Sequence, residues 1–215
     1  MTLCLAGPSD TQRVIALYRE AVSWLAAQGL DQWQNMPGVE ARIAADIGAR
    51  EVWGVRNDNG EITATIKLDS RADPELWQPE DDPAAALYAH RMLVARSEAG
   101  RGIGSAMLDW ASQRAAEADK PWLRLDAWAS NERLHEYYRR EGFELVRLLR
   151  FPHRGSGALF QRPTGWNEHA CRNCGQDNVT QCGGGPPASR AARPGRPTTA
   201  AAPTGQQEVS QGGSI

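Results

Sequence analysis

Residues 98–108 read Glu-Ala-Gly-Arg-Gly-Ile-Gly-Ser-Ala-Met-Leu, with Gly100, Gly102 and Gly104 immediately ahead of an apolar run. Glycine loses more conformational freedom on folding than any other residue, so such a cluster weakens a regular element. What it offers is bare backbone that can approach a neighbour closely. If a strand precedes the cluster and a helix follows, the first-turn N–H groups lack intrahelical partners and the helix dipole favours negative charge. The segment is then an anion site suited to a phosphate, with Gly102 and Gly104 keeping a Cβ out of its path and Arg101 adding a cation. A tight strand-to-helix turn without a ligand uses the same residues, and a glycine motif alone does not separate the two.

Two other phosphate loops fit poorly. A P-loop needs Lys and then Ser or Thr after its last glycine, where this chain has Ser105-Ala106. A dinucleotide fingerprint needs a third glycine where Met107 stands, although Asp126 ends the next strand as that fold requires. Near the C-terminus His169, Cys171, Cys174 and Cys182 have ligand types suited to tetrahedral zinc. No apolar residues surround them to build a knuckle, so no metal site is assigned.

The elements that must position these residues follow from periodicity and turn signals. Pro8-Ser9-Asp10 precedes a helical pattern in which Val14, Leu17, Tyr18, Ala21 and Leu25 share a face, closed by Gly29. A second helix is expected over Val39–Ile47. Strands over 51–55 and 61–66 flank the turn signal Asn57-Asp58-Asn59-Gly60. The acidic stretch from Asp69 to Pro83 reads as a long loop, and Ala86–Val94 as a strand running into the glycines. A helix then extends to about Asp119, followed by a strand over Trp122–Trp128. Ser130 is the expected cap of a short helix ending at Gly142, and Glu144–Phe151 and Gly157–Gln161 supply closing strands. The order predicts a mixed α/β layering of helices on a sheet.

Ala99-Gly100-Arg101-Gly102-Ile103-Gly104 resembles the pyrophosphate loop of the GNAT N-acetyltransferases, Arg/Gln-x-x-Gly-x-Gly/Ala, with Ala99 in place of the first residue. Asn131 through Phe143, with Tyr137-Tyr138 and Gly142-Phe143, resembles that family's Asn, aromatic-Tyr, Gly-Phe segment. The resemblance spans roughly residues 2–162. It implies the GNAT fold, an α/β architecture whose mixed central sheet is splayed between two strands, with helices on both faces. It also implies acetyl-CoA as co-substrate in the cleft between Ala86–Val94 and Trp122–Trp128. Backbone of Met92, Leu93 and Val94 would face the pantetheine arm, Gly100, Arg101, Gly102, Ile103, Gly104 and Ser105 would hold the pyrophosphate, and Asn131 would bond the cofactor where the cleft opens.

Direct transfer from a thioester to an amine needs a neutral nucleophile and a proton donor for the departing thiolate. Tyr138 occupies the position that commonly serves this family as general acid, and a phenol with a reference pKa near ~10 is protonated at neutral pH. Tyr137, about 100° away on the helix, is expected in the core. Strand alternation puts Arg124, Asp126 and Trp128 on one face. Asp126 matches the catalytic carboxylate of the family's protein-alanine acetyltransferases, with an ion pair to arginine as its other reading. His90 and Tyr88 are alternative bases acting through water.

Lys and Arg number 24 against 26 Asp and Glu, a formal net charge of −2, so no basic field points to nucleic acid or an anionic membrane. No apolar run approaches the roughly 20 residues that span a bilayer. The N-terminus lacks a secretory pattern. Cys4 is the only cysteine before Cys171, so a reducing, cytoplasmic setting is expected. After Trp166 the chain has no Leu, Phe or Tyr. Residues 1–163 are therefore expected to form the acetyltransferase domain and 164–215 a disordered Gly/Pro/Ala-rich tail. The expected acceptor is a primary amine on a small molecule or protein N-terminus, handled by a monomer or homodimer. An acetyl-CoA-binding sensor without efficient catalysis is the alternative. The acidic loop, with Asp81, Asp82 and Trp77, and the loop residue Trp33 are expected to favour a cationic or amphipathic acceptor.

Overall fold

Turn chemistry sets the first half of the sheet. Asn57 Oδ1 accepts the backbone N–H groups of Asn59 at 3.1 Å and Glu61 at 2.9 Å. Gly60 takes a φ of 79°, which a side chain would resist. The chain reverses there between two strands, β2 (Val52–Arg56) and β3 (Ile62–Asp69). The computed structural model describes residues 2–34 and 36–165. Expectations for the tail, including His169, Cys171, Cys174 and Cys182, lie outside the described residues.

Five further strands complete the sheet: β1 (Cys4–Leu5), β4 (Ala86–Val94), β5 (Trp122–Trp128), β6 (Glu144–Leu148) and β7 (Ser156–Pro163). They lie in the order β1-β2-β3-β4-β5-β7-β6. Among the described residues only β4 and β5 run parallel. Four α-helices among the described residues flank the strands: α1 (Thr11–Ala27), α2 (Val39–Gly48), α3 (Ile103–Glu117) and α4 (Glu132–Arg140). Val14, Leu17, Val39 and Ile43 of α1 and α2 bury against one face with Ile62 and Leu93. Met107, Leu108 and Ala111 of α3 and Tyr138 of α4 bury against the other with Ala64, Ile66, Leu125 and Phe160. Each such large apolar side chain contributes roughly 1.5–3 kcal/mol on leaving water. Arg162 ties the second layer together from β7, donating to Leu108 O at 2.7 Å and Glu141 O at 2.9 Å.

The mixed sheet opens at the parallel pair β4–β5. β4 and β5 are in register at Ala86–Trp122, Leu87–Leu123 and Tyr88–Arg124. Beyond Tyr88 and Arg124 the facing edges have no strand partner among the described residues. The other side of β4 explains the divergence. His90 pairs with Lys67 and Leu93 with Thr65, so Arg91 and Met92 of β4 lie opposite the single residue Ile66 of β3. Arg91 lies within this bulge, with φ of 42°. A bulge bends its strand and increases its twist, carrying β4 away from β5.

Several expectations are corrected here. Asn131, not Ser130, caps α4: its Oδ1 accepts Leu134 N–H at 3.1 Å, while Ser130 donates to Asp31 at 3.1 Å. The sixth strand stops at Leu148 rather than Phe151. The acidic loop before β4 is packed. Trp77 is buried beneath the Arg124 guanidinium, 4.7 Å from its ring centroid, so it forms no wall for a substrate. Arg124 also donates to the carbonyls of Asp81 and Asp82. Tyr88 is buried and gives its hydroxyl proton to Pro83 O at 3.0 Å, which removes it from the candidate bases. No helix among the described residues is long and apolar enough to cross a membrane.

Candidate active site

The glycine segment enters α3 with its N–H groups free. Gly100 and Gly102 have φ values of 79° and 74°, and a Cβ on either would meet nothing within 4 Å. Between Gly100 and Ser105 no backbone N–H has a hydrogen-bond acceptor among the described residues, and the first loop carbonyl used is Gly102 O, by Ala106 at 3.0 Å. The result is a concave row of donors at a helix N-terminus. Gly104 differs, because the Tyr137 hydroxyl already stands over it. Ser105 Oγ is likewise taken, donating to Glu141 at 2.6 Å. Arg101 lies at the exposed rim, paired with Glu98.

Between the diverging strands is a cavity of about 310 Å³, walled by Ala89–Met92 on one side and Leu125–Trp128 on the other. Tyr138 and Leu134 of α4 close one end, and Tyr18 and Trp33 face them from the α1 side. A second hollow of about 320 Å³ runs along Met92–Val94 between the end of α1 and Asn131–Leu134. The side chains of the predicted β4 segment divide: Met92 packs with the α3–α4 core and Leu93 with the α1–α2 core.

Charge in the cavity is organised around His90. Its Nδ1 is 3.9 Å from Asp126 Oδ1 and its Nε2 is 3.4 Å from Asp69 Oδ1. Burial opposes the charge on Asp69, yet hydrogen bonds from His90, the Arg71 backbone N–H and Lys67 hold its carboxyl well below the usual range. On the far side Arg154 Nη2 is 3.9 Å from Asp126 Oδ2. Arg154 also donates to Asp73 at 2.6 Å, Glu75 at 3.0 Å and Ser156 at 2.9 Å. Asp126 thus lines the cavity and faces an arginine. Burial, reinforced by Tyr137 and the charge on Asp126, pushes the Tyr138 phenol upward, so it keeps its proton at neutral pH. Its hydroxyl has no hydrogen-bond partner among the described residues.

The fold therefore brings Tyr138, Asp126, His90 and Met92 around one space. Asn131 is adjacent, but its carboxamide is held by protein: Oδ1 by Leu134 and Nδ2 by Gln32 at 2.7 Å. Sequence reasoning missed Arg154 and Gln32. A basic residue within Phe151-Pro152-His153-Arg154-Gly155-Ser156-Gly157, a glycine-bearing turn between two strands, was a usable signal for the first. Gln32 carried none.

A model of the acetyltransferase (GNAT) domain matches residues 48–145, a span holding the hairpin, the splayed strands and the glycine loop. An N-acetyltransferase of Bacillus subtilis (strain 168), YesJ, itself uncharacterized, is 31% identical over 148 residues, 66% of this chain and 81% of the relative. The chain belongs to the GNAT family of acetyltransferases. A GNAT acetyltransferase from Listeria monocytogenes 4b F2365 superposes with a TM-score of 0.62 at 25% identity, over 75% of this chain and 94% of that one. The fold is shared at a TM-score of 0.57 and 14% identity with the Thermoplasma acidophilum PaiA N-acetyltransferase, crystallised with coenzyme A, over 75% of this chain and 98% of that one. As a GNAT protein this is an acetyl-CoA-dependent acyltransferase. Its residues fit that donor: open, side-chain-free N–H groups suit a pyrophosphate, and the unpaired β4 edge beside a long hollow suits an amide-bearing arm.

Proposed function

We propose that this GNAT acetyltransferase transfers the acetyl group of acetyl-CoA directly to a primary amine of a small molecule or protein N-terminus. The observation that carries the reading is that Asp126 and Tyr138 line one cavity in the strand cleft, next to the hollow along Met92–Val94. The N–H groups from Gly100 to Ser105 would hold the pyrophosphate, and the backbone of Met92, Leu93 and Val94 the pantetheine arm. When bound, acetyl-CoA supplies a thioester whose acyl carbon is the electrophile.

The chain's own groups then handle two protons. A protonated amine cannot attack, so Asp126 takes a proton from it, with His90 alongside, oriented by Asp69, to pass that proton to water. As the new C–N bond forms and the C–S bond breaks, Tyr138 gives its proton to the departing sulfur. A phenol raised by burial is a weak acid in water, but the same burial raises the basicity of a thiolate beside it, which keeps the transfer matched. The test is an acceptor screen that follows thiol release from acetyl-CoA and identifies the acetylated product by mass spectrometry. Tight acetyl-CoA binding with only slow hydrolysis across amine classes would overturn transfer in favour of a sensor.

A further inference from the structure

The orientation of Asn131 is fixed by its cap. Because Oδ1 accepts Leu134 N–H at 3.1 Å, the other end of the carboxamide is the donor, and it reaches Gln32 Oε1 at 2.7 Å. That bond in turn fixes Gln32. Its oxygen is occupied by Asn131, so its NH2 group points the other way. Asn131 and Gln32 are 5% and 6% exposed, more than nine-tenths buried. Gln32 Nε2 has no acceptor among the described residues. The nitrogen is not sealed away, because Gln32 borders two hollows, so the side chain is held by protein at its oxygen end and open to a ligand oxygen at its N–H end.

The place of Gln32 says which oxygen. With Trp33, Met92 and Leu134 it borders both hollows, the one along Met92–Val94 and the one holding Asp126 and Tyr138. A donor lying in the first must present its acyl end where the two meet for an amine in the second to attack. The carbonyl oxygen at that point gains negative charge as the C–N bond forms. A preorganised N–H aimed at such an oxygen stabilises the transition state more than the ground state.

Resting on the donor reading above, we propose that Gln32 Nε2 donates a hydrogen bond to the thioester carbonyl oxygen of acetyl-CoA, and that Asn131 is a positioning residue acting through Gln32. This reassigns Asn131 from direct cofactor contact. Its two bonds set the helix cap and the amide direction together, so one residue registers α4 against the loop after α1.

The experiment combines calorimetry and kinetics with infrared difference spectra of full-length protein binding acetyl-CoA labelled with carbon-13 at the carbonyl. In the wild type the bound carbonyl stretch should fall relative to free acetyl-CoA. In Gln32→Met most of that lowering should vanish and kcat should drop about 10²-fold, while acetyl-CoA affinity changes little. Asn131→Asp keeps an oxygen for Leu134 N–H but offers Gln32 an acceptor, which turns the amide around. It should show the same loss in the wild-type background and no further loss on Gln32→Met, a coupling that a merely structural role would not produce. If Gln32→Met fails to fold, Gln32→Glu retains the shape and the oxygen facing Asn131, and should also abolish the lowering. An unchanged carbonyl stretch in the folded variant, or a raised amine KM with kcat intact, overturns the proposal. Failure of wild-type protein to bind acetyl-CoA would overturn the donor reading beneath it.

Discussion

The Tyr137 hydroxyl lies 2.7 Å from the point that a Cβ on Gly104 would occupy. The last glycine of the loop therefore makes room for α4, whereas Gly100 and Gly102 face open space. Gly104→Ala should destabilise the fold by about 1–3 kcal/mol through overpacking. Tyr137→Phe, which removes the nearest atom, should recover part of that loss. Gly102→Ala should instead act mainly on the ligand, weakening acetyl-CoA at least about tenfold beyond the roughly 1–2 kcal/mol that a left-handed alanine costs. Calorimetry beside thermal denaturation of the three variants separates these outcomes. Equal acetyl-CoA affinity in Gly102→Ala and wild type would count against a phosphate at the loop.

Tyr138→Phe should reduce kcat by about 10²-fold or more, the usual contribution of a general acid, with acetyl-CoA affinity nearly unchanged. Asp126→Asn should lower kcat by about 10²-fold if the carboxylate takes the amine proton. His90→Gln should lower the rate less, because Asp126 remains in the cavity. A Tyr138→Phe enzyme at full speed removes the phenol from proton transfer.

Stability should depend on pH through Asp69 and Tyr137 with opposite signs. Asp69 lies below its ordinary value of 3.8, so its stabilisation is present above that value and lost as pH falls through the folded one. The difference between wild type and Asp69→Asn in urea should be large at about pH 7 and shrink toward about pH 3. Burial and Glu141 push Tyr137 from 10.0 to about 12, so its contribution holds below 10.0 and is lost as pH rises through about 12. Urea midpoints across both ranges check the two signs.

The acidic loop before β4 should matter for folding more than for acceptor charge. Asp81 pairs with Arg147 and accepts the Gln78 N–H at 2.8 Å, and its backbone carbonyl, like that of Asp82, receives Arg124. Replacing Asp81 and Asp82 by Asn should lower Tm and leave KM for a cationic amine unaltered at low salt. Asp73→Asn, beside Arg154 in the cavity, should change that KM. A raised KM in the Asp81/Asp82 pair would restore the expectation of a steering loop.

A chain ending at residue 165 should keep the Tm and acetyl-CoA affinity of the full sequence. The last strand ends at Pro163, opposite Trp122 at the start of its neighbour β5, and the apolar content falls away after Trp166. Loss of binding on truncation would move the domain boundary.

What could be read in the sequence was local. Three glycines before an apolar run specify a turn and a helix start whatever surrounds them, and strand alternation put Asp126 opposite Leu125 without reference to a partner. The misses needed two distant segments at once. Ser130 and Asn131 are equally good caps by type, and the choice fell to Asn131 because Asp31, 99 residues earlier, holds Ser130. Trp77 reads as a binding aromatic until Arg124 is seen over its ring. Arg154 gathers Asp73, Glu75 and Asp126 from two other elements, and no spacing within the chain encodes that meeting.

The extra residue at Arg91 also changes the parity of β4. Side chains along a strand alternate strictly, so an inserted residue inverts every assignment that follows. Because His90 answers Lys67 and Leu93 answers Thr65, His90 and Leu93 share a face although an odd number separates them. The strand can thus send His90 toward the charged cavity and still bury Leu93 against α1 and α2. Deleting one residue here would straighten the ladder and exchange the environments of Met92, Leu93 and Val94 in a single step. Point substitutions can tune this strand, but a change of length by one rewrites it.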